Sequence, residues 1–401
     1  MNVLQQKAID MALSGKNVFI TGSAGTGKSF AIKHLHTKLR KSTLCSTTGI
    51  GAEIIGGSTI HSALGIRLCQ ETLLKMMANP YITRCFKKIS ILIIDEISML
   101  SYGTFEIISK LAKAARQSQL PFGGIQLIIS GDFLQLPPVK ERFIFESLMW
   151  GELGLETIEL KEIIRQSNPE FVEHLQLIRK GIVSASTQEY LLRRVITPEL
   201  LLEIKRSKMH PTILFSHTAD VSSFNSSKMT KLLKTQKPVE YTTIVFNPRK
   251  LRVHVPDKLI LCTGAQVILT ANMDVSRGLV NGSRGVIKYF LNSTPVVEFK
   301  NGITCEVYMA DREICKDSIF QYKYSYMPLL LGWAITIHKS QGMSIDMMAI
   351  DISKCFEYGQ AYVALSRAKS IENLYLFKLD ISKIKASPDA LEFYETLQIQ
   401  E

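Results

Sequence analysis

The chain has 401 residues, 46% hydrophobic and 21% charged, which suits two packed domains and excludes a disordered polypeptide. Its 48 Lys and Arg against 36 Asp and Glu give a net charge of +12, which favours a polyanionic partner such as nucleic acid, although many basic proteins bind none. Cysteines 45, 69, 85, 262, 305, 315 and 355 form no C-x-x-C pair, which argues against zinc and disulfides and for a reducing compartment; the apolar runs are too short to span a bilayer, and Asp10 interrupts any signal-peptide core.

From residue 17 onward, short apolar runs alternate with longer periodic ones. Residues 17–21, 43–47, 89–95 and 125–130 read as buried strands, rich in Ile and bounded by Gly or polar residues. Residues 29–40 and 102–117 read as helices between them. Strands alternating with helices predict a parallel sheet covered on both faces. Pro137, Pro138 and Pro169 punctuate the next stretch. A second alternating region starts near Pro211, with a strand expected over 212–215. Between 264 and 326 the pattern changes to short strand-like pieces joined by Gly-rich turns, which suggests a small β element inserted in the second domain. A buried strand resumes over 328–337.

The clearest chemistry is G-S-A-G-T-G-K-S, the run Gly22, Ser23, Ala24, Gly25, Thr26, Gly27, Lys28, Ser29. It matches the phosphate-loop pattern, and it lies between a predicted strand and a predicted helix. Glycines let the backbone wrap round phosphates, and the N–H groups at the helix start point towards them. Lys28 reaches the β and γ phosphates, and the Ser29 hydroxyl ligates Mg²⁺. ATP and Mg²⁺ are therefore the expected cofactors. The second element is I-L-I-I-D-E, a strand ending in Asp95 and Glu96. By itself such a strand is common; downstream of a phosphate loop, Asp95 suits the metal and Glu96 suits the base that activates water.

Further segments carry a resemblance. G-D-F-L-Q-L-P-P-V from Gly131 resembles motif III of superfamily 1B DNA helicases, in which Gln135 would sense the γ-phosphate. T-T-G-I-G-A from Thr47 and S-T-I-H-S from Ser58 are similar to motif Ia and its neighbour, which lie along the bound strand. The long segment from Phe105 to Ile129 resembles the stretch between motifs II and III of the petite-integration-frequency (PIF) helicases. Gln5 occupies the place of the adenine-reading glutamine. L-K-E-I-I-R-Q from Leu160 resembles motif IV, which makes Arg165 a γ-phosphate arginine. G-L-V-N-G-S-R-G from Gly278 is similar to the PIF sequence that leads into the β insertion. A-I-T-I-H-K-S-Q-G-M-S-I-D from Ala334 looks like motif V, and Y-V-A-L-S-R-A from Tyr362 looks like motif VI, with Arg367 the second arginine finger. One departure is Gly51, where the family usually has Ala.

The resemblance implies an α/β fold of two RecA-like P-loop NTPase domains with parallel sheets. The expected boundaries are 1–180 for the first domain, with a small insertion about 66–88, and 181–401 for the second, with a β-barrel-like insertion over 284–327. The chain is expected to be a motor core without the N-terminal extension of eukaryotic members. The implied activity is ATP-dependent, 5′→3′ translocation on single-stranded DNA, with unwinding of forked or tailed duplexes in replication, repair, recombination or telomere maintenance. Thr48, Gly49, His61, Asn281, His338 and Lys339 are implied DNA contacts. A soluble, intracellular protein acting as a monomer, without a membrane partner, is expected. Two rival readings are a DNA-clamping ATP switch that does not unwind and an RNA-directed motor. Lys228, Lys231, Lys234 and Lys237 recur every three residues and read as a solvated helix face; Phe224 and Tyr289 read as core rather than as base-stacking residues.

Overall fold

The computed structural model describes residues 1–39, 41–66, 72–206, 209–246, 256–274, 276–314 and 322–399. Two compact units form. The first contains Met1–Ile164 together with the C-terminal segment from Ser387; the second contains Arg165–Glu313 and Tyr322–Ala386.

The first unit is built on a six-stranded parallel sheet. Its strands are β1 (Val18–Gly22), β2 (Ser42–Ser46), β3 (Ser58–Thr59), β4 (Ile91–Asp95), β5 (Gln126–Ser130) and β6 (Glu156–Leu160), in the spatial order β3-β2-β4-β5-β1-β6. Period-two alternation sorts β1 between two cores. Val18 and Ile20 pack with Ala8, Ile9 and Ala12 of the helix Val3–Leu13 and with Ile32 and Leu35 of the helix Lys28–Lys38. Phe19 points the other way, into an aromatic cluster with Phe133, Trp150 and Phe393 at centroid distances of 5.5, 5.4 and 6.4 Å. Burying such side chains contributes about 1.5–3 kcal/mol each. The helix Tyr102–Arg116 buries Phe105, Ile108, Leu111, Ala112 and Ala115, the spacing of one helical stripe. Arg116 at its end donates to the carbonyls of Ile89 at 2.8 Å and Gly123 at 2.7 Å. Within the expected insertion about 66–88, the helices Leu73–Met77 and Pro80–Lys88 form; residues 67–71 lie outside the described residues.

The second unit has its own parallel sheet, with strands Ala334–Thr336, Thr212–Phe215, Met348–Asp351 and Leu374–Lys378 in that order. Beside it is a five-stranded antiparallel sheet in the order Thr304–Glu306, Thr294–Phe299, Arg284–Leu291, Gln266–Leu269 and Leu329–Leu331. This sheet reaches beyond the expected 284–327 at both ends, because Val267 pairs with Leu331 and Ile268 with Arg284.

The structure differs from expectation in three further places. The second unit begins at Arg165, not 181. The C-terminal helix Pro388–Thr396 belongs to the first unit, because Phe393 stacks on Phe145 at 4.3 Å within the aromatic cluster. Tyr289 is 55% exposed rather than core, because an irregularity between Ile287 and Tyr289 breaks the alternation of its strand. Phe224 does pack inwards, 5.8 Å from Phe215, and Lys228 lies over its ring.

Arg284 is wholly buried in the second unit. Its guanidinium donates to the carbonyls of Met347, at 2.8 Å, and of His210. Burial pulls its pKa down to about 10, while the nearby Asp346 charge opposes that shift. Arg284→Ala would remove one donor from each carbonyl, leaving Gln266 Nε2 on His210 and the Thr212 amide on Met347, and would open a cavity the size of the buried side chain. The expected result is a loss of about 3 kcal/mol or more in urea denaturation; a variant as stable as wild type would contradict this account.

Candidate active site

In parallel α/β sheets, ligands bind beyond the carboxyl ends of the strands, where the strand order reverses. In the first unit β1 is such a place: the chain leaves it for β2 on one side and later returns with β6 on the other. The loop Ser23–Gly27 lies at its carboxyl end, and the helix Lys28–Lys38 follows directly. Two glycines are required by geometry. Gly22, at φ +136°, lies so close to the Leu160 carbonyl that a Cβ could not fit. Gly27, at φ +84°, would place a Cβ 2.5 Å from Gln5 Nε2 and 3.3 Å from Ile164 Cδ1.

Lys28 is 9% exposed, and its Nζ donates to the carbonyls of Gly22 at 2.7 Å and Ser23 at 2.9 Å. Thr26 Oγ1 donates to the Ser23 carbonyl, and the Ile164 amide donates to the Gly25 carbonyl at 2.8 Å. Gly27 offers no side-chain cap to the following helix, so the leading N–H groups lack the partner that a Ser or Asp would supply. Gln5 is buried beside the loop. Its Nε2 donates to the Thr26 carbonyl at 3.2 Å, and its Oε1 accepts from the Asn2 amide in a capping box.

The carboxylates stand at the end of β4. Asp95 is 2% exposed; its Oδ1 accepts from the Glu96 amide at 3.0 Å, whereas its Oδ2 is buried and makes no hydrogen bond among the described residues. An oxygen left in that state is costly unless a cation joins it. This fits magnesium, with Asp95 Oδ2 and the Ser29 hydroxyl as the hard oxygen donors such an ion takes. Glu96 adopts left-handed backbone geometry at φ +56°, ψ +45°. That conformation costs a non-glycine residue about 1 kcal/mol. Thr47 Oγ1 holds it by donating to the Glu96 carbonyl at 2.5 Å. The strain turns the residue out of line with the strand.

Beyond β5, Gln135 is 4% exposed and its Nε2 donates to Asp132 Oδ2 at 3.4 Å. Asp132 is wholly buried, and its Oδ1 accepts from the Leu134 amide at 3.2 Å.

In the second unit the two predicted arginines meet at one residue. Arg165 donates from Nε to Ser344 Oγ at 2.9 Å and from a terminal nitrogen to the Ser366 carbonyl at 3.2 Å. Arg367 is 1% exposed and donates to the Val363 carbonyl and to Ser366 Oγ, both at 2.8 Å. Such burial is incompatible with a surface ion-pair role for Arg367. Gln166 Nε2 closes the group on the carbonyls of Ser366 at 3.0 Å and Ala368 at 2.8 Å.

The residues implied as DNA contacts are less uniform. Thr48 caps the helix Gly49–Ile55, accepting from the Gly51 amide at 2.9 Å. A Cβ on Gly51 would crowd the Ser46 hydroxyl and lie 2.8 Å from Thr48 Oγ1, so Ala there would require these side chains to turn. His61 and Lys339 are exposed. His338 Nε2 lies 3.2 Å from Glu357 Oε2. Both amide atoms of Asn281 are buried without a hydrogen bond among the described residues.

The family described as PIF1-like helicase matches residues 2–189, and the description "DNA helicase Pif1, 2B domain" matches residues 250–290. The ATP-dependent DNA helicase Pif1 of Bdellovibrio bacteriovorus is 32% identical across 98% of this chain and 91% of its own length. The chain belongs to the PIF1-like helicase family. The ATP-dependent DNA helicase PIF1 of Xenopus laevis is 38% identical, with 98% of this chain matched to 64% of that protein. The chain therefore spans somewhat under two thirds of the vertebrate relatives' length. Among solved structures, the Bacteroides Pif1 complex with ADP-AlF4 has a TM-score of 0.84 at 29% identity, covering 98% of this chain and 96% of that one. The Bacteroides complex with ADP-AlF3 and ssDNA has a TM-score of 0.69 at 30% identity, with the same coverage.

Sequence reasoning singled out Gln135 without Asp132, and Glu96 without the Thr47 that braces it. The G-D-F and T-T-G runs held both residues. If the loop from Gly22 to Ser29 holds phosphate as expected, the space at Gly27 is essential to it. Gly27→Ala should weaken binding of fluorescent ADP at least about tenfold, because the Cβ displaces Gln5 and the φ +84° backbone is strained. Unchanged affinity in a folded variant would contradict the assignment.

Proposed function

We propose that this chain is an ATP-dependent DNA helicase that moves 5′→3′ on single-stranded DNA and unwinds forked or tailed duplexes. The observation that carries the reading is the first unit's constellation: the buried Lys28 ammonium in its glycine loop, the half-satisfied Asp95, the strained Glu96 and the tethered Gln135. The relatives named ATP-dependent DNA helicase support it, as does the Bacteroides structure with ADP-AlF3 and ssDNA.

Each group has a role in hydrolysis. Lys28 neutralises charge on the β and γ phosphates. Magnesium held by Ser29 and Asp95 would supply further neutralisation of the phosphate oxygens. Glu96 accepts the proton of the attacking water, and Gln135 orients that water against the γ-phosphate. Gln5 reads the adenine edge. Arg165 and Arg367 supply the permanent, planar charge that phosphoryl transfer needs late in the step. Because both bond to Ser366, movement of one is transmitted to the other. Thr48, Gly49, His61, Asn281, His338 and Lys339 are proposed to contact DNA, with the net charge of +12 drawing in the phosphate backbone. A monomer suffices for this cycle. The substrate places the work with the cell's DNA, in replication, repair, recombination or telomere maintenance.

Strand separation by the purified chain tests the reading. With ATP, a duplex carrying a 5′ single-stranded tail should be unwound and one carrying a 3′ tail should not. Arg367→Ala should lower DNA-stimulated hydrolysis by about 10³-fold or more, equivalent to about 4 kcal/mol of barrier. Arg367→Lys should recover little of this, since an ammonium lacks the fork. Preference for the 3′ tail would overturn the polarity, and Arg367→Ala turnover within threefold of wild type would overturn the arginine's role.

A further inference from the structure

The C-terminal helix Pro388–Thr396 carries two aromatic residues with different surroundings. Phe393 serves packing, stacked on Phe145 and edge-on to Phe133 at 5.3 Å. Tyr394 directs its hydroxyl into the polar heart of the first unit. That oxygen lies 2.6 Å from Thr21 Oγ1, accepts from the Phe133 amide at 3.2 Å and donates to Asp132 Oδ1 at 3.3 Å. With Thr21 as donor, the phenol's one donor and two acceptor positions are all used. An anchor that needed only burial would be as well served by Phe at 394.

Both partners lead straight to the reacting groups. Thr21 is wholly buried and precedes Gly22, whose carbonyl holds Lys28 Nζ. Asp132 is wholly buried and holds Gln135 through its other oxygen. One hydroxyl from residue 394 thus ties the strand before the phosphate loop to the turn that bears the water-orienting glutamine. In a buried network of this kind, the position of each member depends on the others.

We propose that Tyr394 is a positioning residue for hydrolysis: its hydroxyl fixes the Asp132 carboxylate, and through it the Gln135 amide, against the loop that holds the phosphates. The C-terminal helix is then a working part of the first unit's site. This rests on the reading of the chain as a DNA-stimulated ATP hydrolase.

The test uses the full chain and compares wild type, Tyr394→Phe, Phe393→Leu, Gln135→Ala and the double variant Tyr394→Phe/Gln135→Ala. Tyr394→Phe should lower kcat for DNA-stimulated hydrolysis about tenfold, with KM for ATP and affinity for a single-stranded oligonucleotide within twofold of wild type. Phe393→Leu should lower the melting temperature while leaving kcat within twofold. In the Gln135→Ala background, adding Tyr394→Phe should cost less than a further twofold, because the residue it positions is gone. Unchanged kcat in Tyr394→Phe overturns the proposal. So does a full tenfold loss in the double variant, or a loss in Phe393→Leu as large as that in Tyr394→Phe. A wild-type chain without DNA-stimulated hydrolysis overturns the parent reading and this one with it; the other failures leave the parent reading standing.

Discussion

The grip of the Lys28 ammonium on the carbonyls of Gly22 and Ser23 is the contact on which the rest of the site depends. A nearly buried cation that donates to two backbone carbonyls, at the start of a helix with no side-chain cap, is poised for an anion. Holding it there dictates the neighbourhood. β1 must lie between β5 and β6, and Gly22 must pass against Leu160 without a side chain. Gln5 must close the loop from outside, which in turn keeps Gly27 bare. The apolar faces of β1 exist to fix this geometry, with aliphatic residues towards two helices and Phe19 towards the aromatic cluster.

Around that point the molecule spends stability where chemistry needs it. Glu96 keeps a left-handed backbone, and Asp95 keeps a buried oxygen without a hydrogen bond among the described residues. Neither is explained by packing. Both are explained if an ion and a water molecule take part in the working state. The second unit follows the opposite policy. Arg165, Gln166, Arg367 and Ser366 form a group in which both guanidinium ions and the amide find neutral acceptors.

Much of this was legible in the sequence, for physical reasons that differ by residue. The loop proposed to hold phosphate is local: eight consecutive residues contain the glycines, the lysine and the hydroxyl, so the pattern is visible without tertiary knowledge. The parallel sheet was legible because buried strands are continuous apolar runs, as in I-L-I-I-D. The link between Arg165 and Arg367 was reached only through family resemblance, since 202 positions of chain separate Gln166 from the Ala368 carbonyl it binds. Tyr394 left no trace, because nothing in P-D-A-L-E-F-Y-E-T says that its helix returns to β1. Tyr289 misled because a single irregularity in a strand reverses which face a side chain takes. Alternation in the sequence cannot reveal that shift.

The central claim is that the first unit holds a magnesium nucleotide, with Asp95 as a metal-holding carboxylate. It is tested most directly by thermal denaturation of the full chain with ADP plus a chelator and with ADP plus Mg²⁺, in wild type and in Asp95→Asn. Binding to the folded state alone stabilises by about 2.7 kcal/mol at a hundredfold excess over Kd. The account predicts that magnesium adds a clear increment to the ADP-induced shift of wild type, and that Asp95→Asn keeps the ADP shift but loses the increment. Equal shifts with and without magnesium in wild type, or the same magnesium increment in Asp95→Asn, would contradict it.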